Sequence, residues 1–358
     1  MISSLKRQDW ILNAAILFLA LASLLTISGI SRERFIQQSI WFAASFLAII
    51  FIAQIDWQPV VNYRWMVFGF YSAVLALLAA TLFFAPVIRE SRSWLVVGNF
   101  QFQPSELAKL ALIVMLSYFF SRRHVGIAHI GNLVKSFLYF LIPAGIIFLQ
   151  PDWGSALVFL GVWIGFLLVS GIRWRHLLIG SVILIIFLTA SWNFFLKDYQ
   201  KERIIGFFRP AYDPLGINYS VIQSKIAIGS AGFFGKGFRA GTQTQLGFLP
   251  EPTTDFIFAA FTEEWGFLGA ALLIAVFLIL LARIIMVGLN AEDNFSKFIS
   301  LGAVILFLIE FAFNVGSNLG FLPVVGITFP FFSYGGSSLL TKAMLIGIIQ
   351  SIASRVRF

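Results

Sequence analysis

Leu249-Pro250-Glu251-Pro252-Thr253-Thr254-Asp255-Phe256 closes the one long polar interruption in a chain of apolar runs. The interruption begins near Tyr199. Within it charge, Gly and Pro return together: Lys201, Glu202, Arg203, Arg209, Asp213, Lys225, Lys236 and Arg239. Behind Asp255 the chain re-enters an apolar helix that carries Glu263 and Glu264. Ordered loops of such length are usually functional. A carboxylate kept where a loop dives back into a membrane span is costly and calls for a reason.

Working outward, the flanks fix the class. Of 358 residues, 59% are hydrophobic and 11% charged, whereas a soluble domain carries about 25% charged residues. A single polytopic membrane domain over residues 1–358 fits, all-α because a lipid-facing backbone must satisfy its own hydrogen bonds. With about 20 apolar residues per span, we expect ten transmembrane helices, near 10–30, 38–55, 65–87, 104–120, 133–149, 153–171, 176–195, 255–287, 297–319 and 333–354. The loop of about 196–254 then joins spans seven and eight. Lys6 and Arg7 precede the first apolar run with no clear cleavage site, which reads as an uncleaved span. The net charge of +9 is spread between spans and does not point to nucleic acid. The absence of Cys removes disulfides and thiolate metal sites.

Orientation follows from Lys and Arg in the short flanks. One side collects Lys6, Arg7, Arg64, Arg122, Arg123, Lys135, Arg173, Arg175, Arg283, Lys297, Arg355 and Arg357. The other holds Arg32, Arg34, Arg89 and Arg92. Both termini are therefore expected in the cytoplasm and the long loop outside. From the fourth span on, each even-numbered span enters from the outer side behind Pro and polar residues: Gln103-Pro104-Ser105-Glu106, Gln150-Pro151-Asp152, Pro252-Thr253-Thr254-Asp255, and Pro330-Phe331-Phe332-Ser333. Pro suits the first helical turn, and Ser, Thr and Asp cap it. Four helix N-termini, if they converge, would favour an anion. Gly161 and Gly165 form a close-packing pair. Tyr219, Ile222 and Ile226 predict a short amphipathic helix on the outer surface.

Candidate chemistry is sparse. Glu106 and Lys109 share a helix face; they read either as a self-neutralising pair or as a lysine facing a phosphate and steadied by its acid. Asp152 reads first as an N-cap. Glu310 is a lone deep acid with no assigned role. Asp255 could also be a cap, but it alone of the three acids in its segment lies at interface depth, with Glu263 about 12 Å below at helical rise. Gly235-Lys236 fails the Walker pattern, since Ser230 and Gly237 occupy required positions. His124, His129 and His176 fall on the inner side, away from Asp255, so neither a triad nor a zinc site forms with it. An acid, basic side chains and helix N-termini at the outer rim suit a lipid with an anionic linker. Sugar transfer from a lipid pyrophosphate is one fit: a carboxylate deprotonates the acceptor, cations stabilise the leaving group, and inversion needs one carboxylate beside the attacking oxygen. A transporter of the same lipid would use a similar site.

The motifs Trp94-x-x-x-Gly98, Phe102-Gln103-Pro104-Ser105-Glu106-Leu107-Ala108-Lys109, Gln150-Pro151-Asp152-Trp153-Gly154, Gly229-Ser230-x-Gly232, Gly235-x-Gly237, Pro250-Glu251-x-x-Thr254-Asp255-Phe256-Ile257-Phe258 and Pro330-Phe331-Phe332-Ser333-Tyr334-Gly335-Gly336 resemble those of the SEDS family (shape, elongation, division and sporulation), and most of all its RodA-like branch. The resemblance runs from about the third span to the end. It implies a peptidoglycan glycosyltransferase that polymerises lipid II at the outer face of the bacterial cytoplasmic (inner) membrane, with a class B penicillin-binding protein as partner. It implies Asp255 as the essential acid and Glu106, Lys109 and Asp152 as supporting positions. Arg203 and Arg209 are assigned to the pyrophosphate, and Ser333 joins the substrate-binding set. A divalent cation, Mg or Mn, between Asp255 and the pyrophosphate is compatible with it, though no ligand cluster demands one. A lipid II flippase and a non-catalytic scaffold are the alternatives.

Overall fold

The computed structural model describes residues 8–86, 92–97, 100–123, 129–194, 198–209, 213–216 and 218–356. Its helices are α1 (Trp10–Ile30), α2 (Arg32–Ile52), α3 (Trp57–Asn62), α4 (Arg64–Phe84), α5 (Pro104–Arg123), α6 (Ile130–Leu149), α7 (Trp153–Val169), α8 (Trp174–Phe194), α9 (Asp198–Phe208), α10 (Tyr219–Ser230), α11 (Thr242–Gln245), α12 (Ile257–Asn290), α13 (Asn294–Leu319) and α14 (Gly336–Ala353). Eight are long and apolar enough to cross a membrane: α1, α2, α4, α5, α6, α12, α13 and α14. The shorter α7 and the apolar α8 hold the places of the sixth and seventh spans. The protein is thus a polytopic all-α membrane protein. An antiparallel hairpin, β1 (Leu95–Val97) with β2 (Phe100–Phe102), adds strands the sequence did not suggest. The predicted inner-side residue His124 lies outside the described residues.

Hydrogen bonds sort the bundle into two ends. At one, the Asp9 N–H donates to Gln350 Oε1 at 2.9 Å, and Arg283 pairs with Asp9 at 2.6 Å. Arg355 meets Asp56 there too. This brings the starts of α1 and α3 to the end of α14. The opposite end gathers the entries of α2, α5, α7, α12 and α14 beneath the long loop.

α5, α13 and α14 form the centre, and most of α5 and α14 is buried. The small pair on α7 lets α13 approach: a Cβ on Gly161 would lie 2.6 Å from Ile309, and one on Gly165 2.7 Å from Ile305. α10 is present, and it docks on the bundle through a face other than that of Tyr219, Ile222 and Ile226. Ile226 is exposed while Ser224 and Ala227 are buried, and Ser224 Oγ donates to the Asn318 carbonyl of α13 at 2.8 Å. The small residues Ser224 and Ala227 form the docked face and leave Ile226 on the outward one.

The eighth span differs from a straight 255–287 helix in two ways. It starts at Ile257, leaving Asp255 in the preceding turn, so the helical offset from Asp255 to Glu263 does not apply. It is also broken at Gly266, where φ is 69°. The loop segment 232–237 fills the break. Lys236 N–H donates to the Glu263 carbonyl at 2.9 Å and Gly237 N–H to that of Glu264 at 3.0 Å, while Phe267 and Leu268 donate back to Gly232 and Phe233. The freed backbone groups of the kink are thereby satisfied.

Candidate active site

The entries of α5, α7, α12 and α14 converge. Gln103 Nε2 donates to Asp152 Oδ2 at 3.0 Å, joining α5 to α7. The Gln103 N–H donates to Ser337 Oγ at 3.0 Å, joining α5 to α14. The loop before α14 then meets the end of the long loop: Tyr334 N–H donates to the Thr253 carbonyl at 2.8 Å, and Ser333 Oγ to the Thr254 carbonyl at 2.8 Å. α2 clasps both loops. Gln38 bonds the Ser333 carbonyl and the Gly335 N–H, while Arg34 donates to Thr253 Oγ1 and lies 5.8 Å from the Tyr334 ring centroid. Burial pushes the Tyr334 phenol above its ordinary pKa; Arg34 opposes the shift and Glu33 reinforces it.

Asp255 stands half-buried at this rim. It lies outside α12, whose N-cap position is taken by Phe256. The neighbouring Leu249 and Phe256 are buried against Ala227, Ala259 and Ala260, which anchors the loop end to α10 and α12. The Asp255 carbonyl accepts from Asn314 Nδ2 at 3.1 Å and Asn318 Nδ2 at 2.7 Å, both on α13.

The other expected site residues divide. Asp152 is an N-cap, its carboxylate accepting from the Ser155 N–H at 3.1 Å and hydroxyl at 2.8 Å as well as from Gln103. Ser333 is buried, with its hydroxyl committed to backbone, accepting from the Phe329 N–H and donating to Thr254. These bonds tie the loop before α14 to the end of the long loop. Arg209 is exposed at the end of α9 and lines an open groove of about 460 Å³ with Trp192, Ile205 and Phe208. Arg203 lies on α9, but its side chain falls outside the described residues.

Glu106 and Lys109 are paired at 2.8 Å, and more is paired with them. Lys109 Nζ also reaches Glu310 Oε1 at 2.8 Å, and Lys342 Nζ lies 3.0 Å from Glu310 Oε2. All four are buried, at 7% exposure or less. Two acids and two lysines make a neutral cluster joining α5, α13 and α14. Lys109 therefore does not face an open anion site. Sequence reasoning assigned Glu310 no role and passed over Lys342. The available signal was the polar stripe Glu310, Asn314 and Asn318 at four-residue spacing, one face of an otherwise apolar span. It also missed Arg34 and the role of Glu263, which is buried and accepts from Lys236 Nζ, the Gln243 and Thr244 N–H groups, and the Thr244 hydroxyl.

Among the described residues no three His, Asp or Glu side chains gather as a metal cage. A cation at Asp255 would draw its remaining ligands from phosphate and water, as Mg²⁺ commonly does.

Comparison with known proteins bears on this geometry. The family model of FtsW, RodA and SpoVE, described as cell cycle protein, matches residues 7–357. The chain is 36% identical over 310 residues to the peptidoglycan glycosyltransferase MrdB of Escherichia coli, covering 87% of this chain and 83% of that one. It superimposes with a TM-score of 0.82 on a chain of a solved peptidoglycan synthase complex concerned with coordinating polymerization and crosslinking, at 32% identity and 97% of both chains. With the rod shape determining protein RodA of Thermus thermophilus the TM-score is 0.73, at 27% identity, covering 97% of this chain and 96% of that one.

Proposed function

This chain belongs to the family of FtsW, RodA and SpoVE cell cycle proteins, and from that membership we propose a mechanism in which Asp255 is the base for lipid II polymerisation. The protein is a peptidoglycan glycosyltransferase of a bacterial membrane. We place it in the cytoplasmic membrane with both termini inside, a RodA-like member acting with a class B penicillin-binding protein that crosslinks the strand. The Lys and Arg asymmetry supports this orientation. Residues 1–358 act as one membrane domain in this reading.

The acceptor's GlcNAc 4-hydroxyl gives its proton to the Asp255 carboxylate as its oxygen attacks the anomeric carbon of the donor MurNAc. The bond from that carbon to the phosphate oxygen breaks, and undecaprenyl pyrophosphate leaves. A positioned base contributes about 10²–10⁴-fold, and cations offset the charge developing on the leaving group. Arg203 and Arg209, on the element beside the apolar groove, are our choice for that task. Mg or Mn, when bound, would add charge neutralisation at the pyrophosphate.

One observation carries the assignment. Asp255 is held by its main chain, just ahead of α12, where the entries of α2, α5, α7, α12 and α14 converge. The test is polymerisation of labelled lipid II by the purified protein with its partner. Asp255→Ala and Asp255→Asn are expected to abolish polymer, and persistent polymer in either rules out the base. A flippase would need a polar path through the bundle, yet the deep charges form a closed neutral cluster. Translocation of lipid II in liposomes that survives Asp255→Ala would revive that reading. Full cellular activity of Asp255→Asn would revive the scaffold.

A further inference from the structure

Three consecutive main-chain carbonyls, those of Thr253, Thr254 and Asp255, each accept from a donor on another element: the Tyr334 N–H, Ser333 Oγ, and the side-chain amides of Asn314 and Asn318. Ser333, Asn314 and Asn318 are all buried, at 5%, 1% and 0% exposure. Nothing in helix formation demands this. The turn before α12 could have left those carbonyls to solvent at the rim, as loop backbone usually does.

Asn318 is committed through both ends of its amide, and Asn314 through its Nδ2. Asn318 Oδ1 accepts from the Ala259 N–H at 3.1 Å, and its Nδ2 also donates to the Asn314 carbonyl at 2.7 Å. Asn314 Nδ2 donates in addition to the Ile327 carbonyl at 2.9 Å. Asn318, whose acceptor holds the first turn of α12 and whose donor holds Asp255 two residues ahead of that helix, fixes both the position and the direction of the chain there. Glu310, one turn below Asn314, is itself held by Lys109 and Lys342, so the helix that supplies the amides is anchored.

We propose that Asn314, Asn318 and Ser333 are positioning residues for Asp255. They act through its main chain and hold its carboxylate at a fixed place at the rim. This rests on the reading of Asp255 as the base. A base on a loop loses its advantage if it wanders: a misplacement of about 1 Å costs on the order of 10²-fold, and sites require a rigid supporting layer.

The test uses the full-length protein with its partner and labelled lipid II, measuring initial rate against lipid II concentration. Asn318→Asp keeps the acceptor for Ala259 and removes both donors. Ser333→Ala removes one donor and introduces no charge, so it remains informative if Asn318→Asp fails to fold. Both are expected to lower kcat by about 10- to 100-fold with KM within about 2-fold, per molecule of protein that retains the wild-type melting transition. Ser333→Ala with unchanged kcat per folded molecule overturns the proposal. So does a KM rise at constant kcat, which would put Ser333 on the substrate. Asp255→Asn run alongside separates the two ideas: an active Asp255→Asn defeats the base, whereas an inactive Asp255→Asn beside a fully active Ser333→Ala defeats only the clamp.

Discussion

Replacing Glu310 and Lys342, singly and together, tests whether the buried charges act as one unit. In Glu310→Leu, Lys109 and Lys342 share the single acid Glu106, which leaves one positive charge in excess. In Lys342→Met, Glu310 keeps Lys109 but the cluster carries one negative charge in excess. The partners now meet at 2.8 Å and 3.0 Å, at 0% exposure for Glu310 and 2% for Lys342. Breaking such a pair typically costs about 3–5 kcal/mol, because the remaining charge is buried without compensation. Two independent changes would then sum to about 6–10 kcal/mol, a large part of the ~5–15 kcal/mol that keeps a domain folded.

The double variant removes one charge of each sign. Glu106 and Lys109 remain paired, and the vacated space is apolar. Replacing a whole buried pair by apolar groups is often neutral, so the double variant is expected within about 2 kcal/mol of wild type. The coupling should thus be at least about 4 kcal/mol and of rescuing sign. The assay is unfolding of the detergent-solubilised protein for all four members of the cycle, followed by tryptophan fluorescence. Additive losses in the double variant would refute the reasoning and would mean that the four side chains are separately solvated. Wild-type stability in both singles would refute it as well.

Gly235→Ala places a Cβ 2.2 Å from the Glu264 carbonyl at a φ of 83°; it should cost more than about 1 kcal/mol and open the 232–237 loop to limited proteolysis. Gly165→Leu overpacks the α7–α13 contact, where a Cβ already lies 2.7 Å from Ile305; a loss of about 1–3 kcal/mol in the same unfolding assay is expected. At the opposite end, the Arg355 hydrogen bond holds the Asp56 carboxyl below its ordinary value of 3.8. Its small contribution is therefore present above pH 4 and is lost as pH falls through the depressed folded-state pKa. Arg355→Gln should remove this acid-side difference in melting temperature, and added salt should mimic the substitution.

The spans were legible because lipid leaves the backbone few options, and because Lys and Arg mark the flanks. The close packing at Gly161 and Gly165 was legible from spacing alone. Partnership was not. Glu310 and Lys342 are on different helices, and nothing local to either names the other. The start of α12 was misread for a related reason. Pro252-Thr253-Thr254-Asp255 carries every local signal of a capped helix, but Asn314, Asn318 and Ser333 compete for its carbonyls and hold them outside the helix. The break at Gly266 was hidden too, since a glycine within an apolar run reads as tolerated until its positive φ is seen.

α13 limits where this enzyme can move. It holds two lysines through Glu310 and the Asp255 carbonyl through Asn314 and Asn318, all on one face. A slide of one residue is about 1.5 Å along the axis, enough to break the side-chain amide hydrogen bonds of 2.7 Å and 3.1 Å and the ion pairs together. The rearrangement that admits two lipid substrates must then fall on elements outside this set. α8 and α9 qualify. α8 exposes Leu178, Ile179, Val182, Ile183, Ile185 and Ile186, and α9 carries Arg203 and ends just before Arg209, which lines an open groove. Hydrogen exchange in nanodiscs should therefore find the amides of α13 near Asn314 among the slowest and those of α9 among the fastest, with lipid II slowing α9 alone. Equal protection of the two helices, or a response to lipid II centred on α13, would show that Asp255 rides on the moving part and that α13 is no fixed platform.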